Sequence, residues 1–311
     1  MLPSWKIWRA LREPPITGHH IYKRVASVPI WPPHWRIDAR ILWGLGLLAL
    51  AALVLSYGLI SLLLALFVVP AVGIFVVLVL PALLPPLAVL AGTLWAALIS
   101  SWVVRESRGH TYDLLCAAPD GALGANWVIA SGCLHRGDVL AGLRLGVLTA
   151  LLLGGLFFGL LLMVAVFLIV RSAAPDTLVT ALRTLLDLGA LIVVFYLHFI
   201  QSVALSALVG ISAAGLFGSR GDTPWLAAAL YLAVQAISAA VFALFHTTVA
   251  PLAQALTPDH WLAYVSVPLV YVGVFLLLRE GALLLLLSLI SDRLNASAVE
   301  RERFLRLLGE A

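Results

Sequence analysis

Residues 41–104 are 64 consecutive positions without one Asp, Glu, Lys, Arg or His. A transmembrane helix needs about 20 mainly apolar residues, so this run holds two long spans or three short ones. In hydrocarbon every backbone N–H and C=O must find its partner within the segment, which leaves the α-helix as the conformation. The rest of the chain agrees: 63% of it is hydrophobic and 11% charged, against about 25% charged in soluble domains. A polytopic membrane protein follows, with a core made by helix packing in lipid.

Charge decides the span count. Two spans in 41–104, turning near Pro70, keep the basic N-terminal arm and the charged loop after Val104 on one side, as the positive-inside rule favours. The second span carries Pro81, Pro85 and Pro86 and is expected to kink. Span three is placed at 145–170, span four at 188–217, span five at 225–249 and span six at 261–290. Links at 171–187, 218–224 and 250–260 separate the last four, with Pro175, Asp176 and Thr177 reading as a helix start. This places 16 of the 19 Lys and Arg inside, Arg171 and Arg183 outside, and Arg279 within span six. The expected fold is an all-α polytopic bundle of about six transmembrane helices with both termini cytoplasmic. Its parts are an N-terminal arm (1–40), a transmembrane domain (41–290) with a cytoplasmic loop (103–144), and a tail (291–311).

The arm holds seven basic side chains, and Trp5, Ile7, Trp8 and Leu11 suit a short amphipathic turn at the membrane surface. It reads equally as an interfacial elbow or as an anionic-lipid anchor. The first apolar run is too long for a signal peptide, so it is expected to stay. Net charge is +4, but the basic residues are scattered along membrane flanks, which argues against nucleic acid. Cys116 and Cys133 match no zinc spacing and read as small apolar residues, reduced if the loop is cytoplasmic.

The loop at 103–144 is charged yet has apolar anchors, the character of a docking element. Residues 105–115 are expected to be helical, Pro119, Asp120, Gly121 and Gly124 to turn, and 127–134 to form a second helix along the membrane surface. Arg105 and Glu106, a glycine, then Thr111, Tyr112, Asp113, Leu114, Leu115 and Pro119 resemble the cytosolic loop of ABC transporter permeases of the type-2 exporter class. Gly109 sits one place early, with His110 before Thr111, and Ala118 stands where that class usually has threonine. Six spans with one sizeable loop between the second and third is also that class's layout. The resemblance implies docking of a separate ABC ATPase subunit on Arg105, Glu106, Arg108, Thr111, Tyr112, Asp113, Leu114, Leu115 and Pro119. It implies pairing with a second, identical or different permease, a multi-pass location in a bacterial plasma membrane, and export.

No GxxxxGK[ST] phosphate loop occurs, so ATP hydrolysis is assigned to another chain. No enzyme activity, metal or other cofactor is expected. His198 and His246, tested as paired haem ligands, fall at different depths and read as packed histidines. Gln201, Ser202, Ser206, Gln235 and Ser238 either line a polar path or bond between helices, the commoner use. Arg279 and Glu280 are adjacent within span six. They are either a polar pair at the dimer cavity or near the cytoplasmic gate, or the sign that the span ends early and Arg279 snorkels to the inner headgroups. The second is favoured, since adjacent residues on a helix do not face each other. Gly142 with Gly146, and Gly155 with Gly159, have the spacing of close helix contacts. The alternative to a permease is a non-transporting integral subunit that scaffolds a larger membrane complex; a membrane-embedded enzyme is the weakest reading.

Overall fold

The computed structural model describes residues 2–12, 20–27, 80–109, 112, 116, 121–136, 140–149, five isolated positions between 152 and 167, 175–218, 221–256 and 261–310. The expected first span and its turn at Pro70 lie outside these, as do Thr111, Asp113, Leu114, Leu115 and Pro119. The described elements are all helical: α1 (Pro3–Arg12), α2 (His20–Ser27), α3 (Leu80–Ser107), α4 (Gly121–Leu134), α5 (Leu140–Thr149), α6 (Pro175–Phe217), α7 (Thr223–Leu256), α8 (Trp261–Arg293) and α9 (Ala298–Glu310). Four contain segments long and apolar enough to cross a membrane: Pro85–Ser107, Gly189–Phe217, Thr223–Phe245 and Leu269–Arg293. The chain is a multi-pass membrane protein, helical throughout its described elements.

Helix α6 is the centre. It packs most extensively on α3, then on α8 and α7, and α1 lies against it as well. Phe199, Ile200, Val203, Ala204, Ala207 and Leu208 are buried along its length. The outward faces of the surrounding helices carry exposed leucines and isoleucines, among them Leu90, Leu94, Ile237, Leu244 and Leu277. Lipid tails are as apolar as these side chains, so the helices associate through close packing and internal hydrogen bonds.

Two glycines set the closest approaches. A Cβ on Gly210 would stand 2.7 Å from Ile99 Cβ and 3.0 Å from the Ala96 carbonyl, so α6 meets α3 nearly backbone to backbone. A Cβ on Gly92 would meet the Tyr231 ring, whose hydroxyl donates to the Ala88 carbonyl at 3.5 Å. By contrast, among the described residues nothing lies within 4 Å of a Cβ built on Gly142, Gly146, Gly155 or Gly159.

Several boundaries differ from expectation. Helix α6 is unbroken from Pro175, so the polar link at 171–187 is largely helix. Helix α7 passes the expected end of span five and runs to Leu256. Pro85 and Pro86 sit inside α3 without ending it. The helix start at Pro175 and the turn before Thr223 stand as expected. At that turn the Thr223 hydroxyl donates to the Phe217 carbonyl at 2.9 Å, tying the end of α6 to the start of α7.

The end of α8 is capped by Asn295 in the left-handed region, at φ 48°, a role asparagine fills because it tolerates that conformation. The Ala296 N–H donates to the Ser291 carbonyl at 3.0 Å. Helix α9 then opens with a capping box: the Ser297 N–H donates to Glu300 at 2.8 Å and the Glu300 N–H to the Ser297 hydroxyl at 3.2 Å.

Candidate functional site

The first region is the collar after α3. Helix α3 stops at Ser107, and the Gly109 N–H donates to the Glu106 carbonyl at 2.8 Å. Arg105 and Glu106 therefore end a membrane helix; they do not begin a new one as the sequence suggested. Glycine at 109 and the Ser107 hydroxyl, which bonds back to the Val104 carbonyl at 2.9 Å, both favour termination there. Arg105 and Arg108 are exposed, whereas Glu106 is buried and ion-pairs with Arg24 of α2. Trp102 lies under two guanidinium groups, Arg105 at 5.0 Å and Arg136 at 5.6 Å from its ring centre. Tyr112 donates to Asn126 Oδ1 at 3.1 Å, which ties the turn to α4.

Helix α4 also departs from expectation. It begins at Gly121, whose φ of +65° is open to glycine at little cost, and it includes Gly124, which was expected in the turn. Every residue in it except Ala122 is buried, so it is enclosed by protein where a helix with one face open to the surface was expected. It has no polar face to turn toward water. Instead α2, α3, α6 and α9 enclose it, with Gly132 against Val25 and Trp127 edge-on to Phe304 at 5.4 Å. In the same way α1 buries Ile7, Trp8 and Leu11 against protein, Trp8 meeting Phe199 edge-on at 5.6 Å, where lipid contact was expected.

Burial separates the two thiols. Cys133 is enclosed, which pushes its pKa to about 12, opposed weakly by Arg136; Cys116 is half-buried. At pH 8 the Cys133 thiolate fraction is then about one in ten thousand, and the thiolate is the reactive species. Maleimide is expected to modify Cys116 in the folded protein and to reach Cys133 only after denaturation. Equal labelling of both in mild detergent, read by peptide mass, would refute the enclosed α4.

The second region lies inside the bundle. Arg279 does not snorkel: it is buried to 1% exposure. It stands about 27 Å of helical rise from the Trp261 end of its helix and about 21 Å from the Arg293 end. The helix continues past it without a break to Arg293. Nη1 donates to the His198 carbonyl and the Ser202 hydroxyl, both at 3.2 Å, and Nη2 donates to Gln235 Oε1. Phe275 lies 5.3 Å from the guanidinium. Gln235 in turn donates to Ser202 at 3.4 Å. Neutral acceptors from α6 and α7 thus hold a charge that costs on the order of 3 kcal/mol at mid-bilayer on insertion scales.

Glu280, one residue on, faces elsewhere. It accepts from the Ser4 N–H at 2.9 Å, from the Ser4 hydroxyl, and from Gln201 Nε2 at 3.1 Å. Ser4 lies in the first turn of α1, so a carboxylate meets unpaired N–H groups and the positive end of a helix dipole. Glu280 caps α1 from inside the bundle and anchors the arm there. The sequence named Gln201, Gln235, Arg279 and Glu280 together as possible intramembrane polar residues. It missed their division into two clusters, one around each charge, and it missed Ser4.

A cleft of about 240 Å³ opens beside Arg279, between α3, α6, α7 and α8. Phe195, Phe242 and Phe275 form much of its wall, and His198, Gln235 and Arg279 its polar part. His198 bonds the Pro85 carbonyl, and its Nε2 is buried without a partner. Among the described residues no group of three His, Cys, Asp or Glu is placed to hold a metal. His246 has no described side chain.

The fold and these two regions define the class: a multi-pass helical membrane protein with a buried cationic cleft and a helical collar. Comparison with protein-family models, with curated proteins and with solved structures found no match.

Proposed function

We propose that the chain is the membrane-spanning permease subunit of an ABC exporter, worked by a separate ATPase. The observation that carries this reading is the rigid mounting of the collar on the bundle. Helix α4 is buried between the arm, α3, α6 and the tail helix, and Glu106 is fastened to Arg24. A push on the exposed face near Arg105 and Arg108 would reach α3 and α6 through packed contacts, since close-packed interiors transmit strain. The reading carries with it six spans, both termini and the collar in the cytoplasm, a bacterial plasma membrane, and pairing with a second permease. The chain supplies the path, and the partner hydrolyses ATP.

The test is affinity purification of the intact chain in mild detergent. The expected result is a co-purifying ATPase with a GxxxxGK[ST] loop, lost by roughly tenfold or more in Arg105→Glu/Arg108→Glu, since each like-charge mismatch at an interface costs several kcal/mol. Glu106 is a poor choice for this substitution, because reversing it would first break its bond to Arg24. A folded chain that brings down no nucleotide-binding protein, or one held equally by the double variant, would sink the permease reading.

A further inference from the structure

The cleft beside Arg279 has a charge and a shape that together specify an occupant. Among the described residues all the acceptors of Arg279 are neutral, and its Nε is buried without a partner. Among the described residues no carboxylate lies within ion-pair distance, because the adjacent Glu280 is turned toward Ser4 and Gln201. A guanidinium in a low-dielectric interior without a counter-charge favours any anion that reaches it. His198 Nε2, on the same wall, is the acceptor nitrogen of its ring, because the other nitrogen donates to the Pro85 carbonyl, so Arg279 alone answers an anionic head.

The other walls exclude a simple inorganic anion. Val194, Phe195, Ala239, Phe242 and Phe275 are apolar and would strip water from an ion without replacing it. They suit a hydrocarbon chain. The volume of about 240 Å³ equals roughly eight waters at about 30 Å³ each. It lies below the roughly 300–1,000 Å³ of ordinary ligand pockets, enough for one short chain but not a two-chain lipid. Ala239 is on the exposed side of α7, so the cleft is reached laterally from the bilayer.

We propose that this cleft binds a single-chain amphiphile with an anionic head, the head pairing with Arg279 and the chain lying against the phenylalanines. The site goes beyond the permease reading and holds whether or not an ATPase docks.

The experiment uses the purified full chain in an uncharged maltoside detergent and a diazirine-bearing decanoate. The same probe with a primary alcohol in place of the carboxylate is the comparison. The carboxylate probe is expected to label peptides containing residues 194–198 and 275–279 about tenfold more than the alcohol, as one charge-assisted contact implies. Arg279→Gln is expected to erase that preference while leaving weak labelling by both. Ala239→Trp adds bulk to the cleft from an exposed position and leaves Arg279 itself in place, and is expected to suppress both probes. Equal labelling by acid and alcohol overturns the proposal, as does a preference that survives Arg279→Gln. If Arg279→Gln does not fold, undiminished labelling in Ala239→Trp overturns it instead. Competition by inorganic phosphate or by phosphatidylglycerol at matched concentration assigns the site to a free anion or a two-chain headgroup, and overturns the single-chain assignment.

Discussion

Gly210→Leu is expected to separate α6 from α3 and to lower stability by about 3 kcal/mol, the upper part of the usual range for overpacking. The reason is geometric. Even a Cβ at this position would stand 2.7 Å from Ile99 Cβ and 3.0 Å from the Ala96 carbonyl. The neighbour that must yield is a helix backbone, which cannot swing aside as a side-chain tip would. Thermal unfolding in mild detergent should show a midpoint lower by roughly 10 °C, with Gly210→Ala intermediate. A wild-type midpoint for the leucine variant would mean that the two helices do not meet here. Gly215 makes a control on the same helix, since open space lies over it.

The second large effect concerns Arg279 and is asymmetric. Gln235→Leu removes the acceptor of Nη2 and leaves a buried guanidinium short of one hydrogen bond. It should cost about 2 kcal/mol, as hydrogen bonds to charged groups do. Arg279→Met removes the charge itself along with its desolvation penalty, and should be near neutral or stabilising. Deleting the charge is thus expected to be milder than deleting its partner. Unfolding midpoints of the two variants decide this. If Arg279→Met is the more damaging, the charge serves the fold, and the case for a ligand-directed cation in the cleft weakens. The contrast bears on mechanism, because a charge held at a cost to stability is the kind that binds or moves something.

Both predictions rest on contacts between segments far apart in the chain, and this marks the division between what was legible and what was not. The composition and the charge-free run at 41–104 were enough to establish a multi-pass helical membrane protein, because hydrocarbon admits few alternatives for an uncharged segment. The helix start at Pro175 and the turn before Thr223 were readable for a local reason: proline and glycine act through their own backbone angles. Arg279 was misread for the same locality. On a helix drawn alone, an arginine beside a glutamate has no partner and snorkels. In the bundle, Ser202 and Gln235 come to it from two other helices, while Ser4, 276 residues away, goes to its neighbour.

Helix α4 repeats the lesson. Its sequence is apolar on every side, which is compatible with lying on a membrane or being wrapped by protein. Only the placement of α2, α3, α6 and α9 around it chose the second. Periodicity and charge are properties of one segment and determine which parts of this chain are helices in lipid. Which faces are filled, which charges are answered and where a cleft is left depend on surfaces brought together by packing, and only the tertiary structure decides them.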